Sequence, residues 1–126
     1  MRVSYREIAV RPAIDLINDL VGARGATLPF RTSRYLGTRV AKALQERWKE
    51  FDQERLALLE KFGEKQADGN SYVVANEKMP EYITEWNLLL DEIVELTNID
   101  KIKIDDFEKA NLTPSEWAAI DWLVTE

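Results

Sequence analysis

The 126 residues contain no His and no Cys, only five Gly and four Pro, and no glycine-rich phosphate loop. Without Cys there is neither a disulfide framework nor a thiolate metal site, and the composition suits a reducing compartment. Without His or Cys, nucleophilic catalysis is left with Ser-Lys or carboxylate arrangements, and no Ser-x-x-Lys occurs. Few Gly and Pro, with 45% hydrophobic and 32% charged residues, argue against disorder over most of the length. No apolar run approaches the roughly 20 residues of a membrane helix, and the opening residues Met1 to Glu7 lack the apolar stretch of a signal peptide. The expected address is the cytoplasm, with no membrane contact.

What is present is charge, unevenly divided. The net charge is −6, yet residues 1 to 50 carry ten Lys/Arg against five Asp/Glu, while residues 51 to 126 carry seven against eighteen. Such a split steers encounters with a charged partner, packs the two parts against each other, or solvates two faces. Arg31, Arg34, Arg39 and Lys42 cluster where the longest amphipathic segment begins, a place to meet an acidic protein or phosphate. Nucleic acid ranks below protein, because no reader motif accompanies the cluster and the rest of the chain is acidic.

Apolar periodicity gives the architecture. Val3 to Leu20 reads as a short helical start followed by a helix with Pro12 in its first turn, ended by Gly22 and Gly25. A connector around Leu28-Pro29 leads to a long helix capped at Thr32 or Ser33. That helix carries Leu36, Val40, Leu44, Trp48, Phe51, Leu58 and Phe62 at steps of three or four, over about eight turns. Gly63 is placed as a C-cap, and Asp68-Gly69 with Tyr72-Val73-Val74 predicts a small hairpin or ordered loop. Met79 to Ile93 forms a second stripe that returns antiparallel against the first. Ile93 to Leu96 and Lys101 to Ile104 read as short strands, to be paired with each other or with Tyr72-Val73-Val74. Thr113-Pro114-Ser115-Glu116 carries a capping box and a first-turn proline. A helix therefore begins there, presenting Trp117, Ile120, Leu123 and Val124.

The expectation is one mainly α domain over residues 1–126: an N-terminal helical arm (1–30), a long antiparallel helical hairpin (31–95), then a short strand and a capped C-terminal helix (96–126). Trp48 and Trp86 fall on the helical stripes and read as core, whereas Trp122 falls beside its face and is the Trp expected at a contact surface. The carboxylates of Asp15 and Asp19, of Asp91, Glu92 and Glu95, and of Asp100, Asp105 and Asp106 offer cation or acid/base sites only in principle. Solvated surface is their default reading.

The order of these pieces resembles a family of small, mostly uncharacterised proteins of tailed bacteriophages and prophages. The likeness is carried by Ala13-Ile14-Asp15-Leu16, Leu28-Pro29 leading to Arg34-Tyr35-Leu36-Gly37, Glu54-Arg55 to Leu59, and Lys61-Phe62-Gly63-Glu64-Lys65. It continues through Asp68-Gly69-Asn70, Trp86 to Leu96, and Lys101-Ile102-Lys103-Ile104 to Leu112-Thr113-Pro114-Ser115-Glu116. The resemblance implies a phage origin and carries over no catalytic residue, cofactor or metal ligand. The expected function is accordingly non-enzymatic: binding of a host or phage protein, through Arg31, Arg34, Arg39, Lys42 and Trp122, to modulate host machinery or defence in the bacterial cytoplasm. The alternative is a structural or assembly component of the virion, with the tail as its first place, and self-association suits both.

Overall fold

The computed structural model describes residues 1–126, which are mainly helical. The chain opens with a strand, β1 (Arg2–Ser4), rather than the expected helical start, and a one-turn helix, α1 (Tyr5–Ile8), follows. Ser4 and Glu7 form a capping box across that junction: the Glu7 amide donates to Ser4 Oγ at 3.3 Å, and the Ser4 amide donates to Glu7 Oε1 at 2.9 Å. Helix α2 (Arg11–Val21) has Pro12 in its first turn and buries Ala13, Leu16, Ile17 and Leu20. These residues step by three or four along one face.

The long helix begins at Phe30, two or three residues before the expected cap, directly after Pro29, whose ring precludes helix at Leu28. It runs as α3 (Phe30–Tyr35), a π-helical turn (Leu36–Val40) and α4 (Ala41–Phe62). Gly63 ends it in extended backbone and not in a left-handed cap, and a Cβ there would lie 2.7 Å from the Leu59 carbonyl. The glycine thus permits a sharp exit into strand β2 (Gly63–Lys65), which pairs antiparallel with β3 (Tyr72–Val74). The turn between them places Gly69 at φ +76°. Asp68 accepts bonds there from the amides of Asn70 and Ser71 and from the Ser71 hydroxyl. Those donors, the Asn70 amide first, hold the Asp68 carboxyl below its ordinary value.

Helix α5 (Met79–Leu90) packs on α4 through Phe51 against Trp86, with ring centroids 5.6 Å apart, and Phe62 against Tyr82 at 6.1 Å. It stops at Leu90, so Ile93, expected on its stripe, lies in strand β4 (Ile93–Glu95) and is half exposed. The partner of β4 is β1, in antiparallel register with Val3 opposite Val94. Strand β5 (Ile102–Lys103) pairs with β6 (Val124–Thr125), in parallel. Neither therefore takes the pairing expected for it. A 3₁₀ segment (Ile104–Ala110) ends at Asn111 in the left-handed region, φ 50°. The Thr113–Glu116 capping box then starts α6 (Pro114–Ala119) as the sequence predicts.

A single core joins these pieces. Val3, Tyr5 and Ile8 from the N-terminal segment, Ile17 and Leu20 from α2, and Leu36, Val40 and Leu44 from the long helix meet Phe107, Ile120 and Leu123 from the C-terminal third. No helix is long and apolar enough to cross a membrane.

Candidate functional site

Two tethers set the rotation of the long helix at its N-terminal end. The hydroxyl of buried Thr32 donates to Asp106 Oδ2 at 2.9 Å. The Tyr35 hydroxyl accepts from the Asp100 amide at 2.7 Å and donates to the Asp100 carbonyl at 3.2 Å. With Thr32, Leu36, Val40 and Leu44 turned inward, Phe30, Arg31, Arg34, Arg39 and Lys42 are turned out to solvent. The cations follow one another at steps of three, five and three. The middle step spans the π turn, whose i to i+5 hydrogen bonds widen the helix, so Arg39 returns to the side that Arg34 occupies. The turn that accommodates core packing also keeps the four cations on one face.

Five of the six other arginines are engaged. Arg6 pairs with Asp91 at 2.8 Å, Arg24 with Asp19 and Glu116 at 2.9 Å each, Arg47 with Glu50 at 2.8 Å and Arg55 with Asp52 at 3.2 Å. Arg11 lies 3.7 Å from Asp15. Arg31, Arg34, Arg39 and Lys42 form no ion pair and no side-chain hydrogen bond, in a chain whose net charge is −6. Beside them Phe30, at 81% exposure, is the most exposed large hydrophobic side chain of the protein. An exposed aromatic next to unpaired guanidinium groups has the make-up of a protein-binding hot spot.

Of the residues expected at a contact surface, the four cations come together and Trp122 does not join them. Trp122 is 7% exposed, lies in a 3₁₀ turn (Asp121–Leu123), and its indole Nε1 donates to the Ala119 carbonyl at 3.2 Å. Helix α6 ends at Ala119, so helical spacing extended past that point puts Trp122 on the wrong side. Trp48 and Trp86 are partly buried and, with Phe51, Val10 and Ile14, line a cleft of about 550 Å³. The Trp48 indole donates to the Ile8 carbonyl at 2.7 Å, and the Arg55–Asp52 pair sits at the cleft edge. The Tyr5 phenol beneath is pushed up by burial, with Glu50 and Glu92 adding to the shift.

Asp106 accepts from Thr32 and the Asp100 backbone holds Tyr35. No group of three or more acidic side chains is arranged to hold a metal ion. Phe30 is the residue of this face that sequence reasoning passed over. The available signal was an apolar residue that heads a basic helix and stands outside its apolar stripe.

Comparison with protein-family models, with curated proteins and with solved structures finds no match to this chain.

Proposed function

We propose that this protein is a non-enzymatic, phage- or prophage-encoded interaction module that binds an acidic surface of a host or phage protein. The observation that carries the reading is the exposed face of Arg31, Arg34, Arg39 and Lys42 beside Phe30, unpaired in an acidic molecule. Clustered charge of one sign raises the rate of oriented encounter, and the aromatic ring supplies apolar contact once docked. On this reading α4 and α5 form an antiparallel hairpin, supported by the Phe51–Trp86 and Phe62–Tyr82 contacts, that mounts the face rigidly.

The test is capture from a bacterial lysate by the wild type and by the double variant Arg34→Glu with Arg39→Glu, at low and high salt. A specific protein retained by the wild type at low salt, released at high salt and missed by the variant is the expected result. No specific partner at low salt, or equal capture by the variant, overturns the reading.

A further inference from the structure

On the other end of the long helix lies a surface of opposite character. Leu88 is 62% exposed and sits with Leu58 and Leu89 in a shallow depression of about 230 Å³ between α4 and α5. The rest of its lining is Glu54, Glu85 and Glu92, and none of these carboxylates forms an ion pair or accepts a side-chain hydrogen bond. They are not grouped to hold a cation. The depression is therefore an uncovered apolar floor with an anionic rim, whereas the face around Phe30 is an uncovered aromatic with a cationic rim.

We infer that the two surfaces are complementary halves of one interface between two copies of this chain, Phe30 of one copy covering Leu88 of the other while Arg31, Arg34 and Arg39 meet the glutamate rim. The inference rests on the reading of the basic face given above and names a second copy as its partner. A single chain is unable to satisfy both surfaces itself: Lys42 and Glu54 are twelve residues apart on one rigid helix, about 18 Å at 1.5 Å per residue. Two copies related by a two-fold axis use both surfaces of each and close at the dimer, because in such an interface residue i meets j and j meets i. Guanidinium groups suit carboxylate rims through paired N–H donors, and the attraction between exposed charges is screened by salt.

Light scattering on the eluting protein gives the test. The wild type is expected at twice the 14.6 kDa chain mass at low salt and to shift toward monomer at high salt. Arg34→Glu with Arg39→Glu, and separately Glu85→Lys with Glu92→Lys, are each expected to be monomeric. An equimolar mixture of the two is expected to recover the dimer, since the swapped charges complement one another again. Leu88→Glu, at an exposed position, supplies a second route to the monomer. A monomeric wild type at low salt, variants that dimerise alone, or a mixture that stays monomeric overturns the inference. Failure here is distinguishable from failure of the proposed function, because Glu85→Lys with Glu92→Lys leaves the basic face intact and retains lysate capture if a foreign acidic protein is its true target.

Discussion

The two ends of the long helix share one apolar stripe and treat charge in opposite ways. Between Arg47 and Phe62 both arginines find acidic neighbours one turn away, Arg47 with Glu50 and Arg55 with Asp52. Between Phe30 and Lys42 the helix contains no Asp or Glu, and its cations face solvent alone. Local pairing of the first kind contributes a few tenths of a kcal/mol to the helix and leaves little for a partner. The second arrangement forms no ion pair within the fold and leaves its field directed to solvent.

The contrast is sharpest in what each end tolerates. Leu36→Ala empties a fully buried position under the basic face and is expected to destabilise by about 2 to 5 kcal/mol. Leu56→Ala, 43% exposed on the other end, is expected to stay within about 0.5 kcal/mol of the wild type. Equal urea midpoints for the two variants break the comparison. Thr32→Val keeps the shape of a buried residue but removes the donor to Asp106, with an expected loss of about 1 to 1.5 kcal/mol. A neutral result in chemical unfolding means that this tether does not set the rotation of the helix.

Glu116 provides the case of a spoken-for charge. Its carboxylate accepts from the Thr113 amide at 3.1 Å and from Arg24 at 2.9 Å. Its pKa is lowered, first by the Thr113 hydrogen bond and, more weakly, by Arg24. A depressed folded-state value means that the contribution is present above the ordinary carboxylate range and is lost as pH falls through the folded value. Glu116→Gln is expected to cost about 0.5 to 1 kcal/mol at neutral pH and to flatten the acid side of the stability profile. An unchanged acid limb contradicts that assignment. Arg34→Glu with Arg39→Glu is expected to have the smallest effect on folding, within about 0.5 kcal/mol, because neither guanidinium has a partner to lose. A drop in melting temperature as large as that of Thr32→Val shows those cations to be structural.

What the residues foretold divides along the same line, local against distant. The Thr113–Glu116 box and the hairpin at Asp68-Gly69 are written within a few residues and were legible. The Ser4–Glu7 box is equally local, and a helical reading that began at Val3 concealed it. The strand character of Ile93 to Glu95 and Ile102-Lys103 was visible, but their partners are Arg2–Ser4 and Val124–Thr125, and no local pattern encodes a pairing across most of the chain. Trp122 was misplaced because periodicity was carried past the end of α6. The clustering of Arg31, Arg34, Arg39 and Lys42 was legible because all four lie within one short stretch of chain. Phe30 was missed because its exposure depends on Pro29 starting the helix and on Thr32 and Tyr35 fixing its rotation.

The central claim is that the face around Phe30 is a recognition surface, whereas the exposed side of the same helix at Leu56 is not. Photo-crosslinking from a benzoylphenylalanine placed at Phe30 or, in a separate protein, at Leu56 compares two exposed apolar positions on the same element. After irradiation in a bacterial lysate at low salt, adducts to protein are expected from position 30 and none from position 56. Adducts from position 56 with none from position 30 would contradict the account.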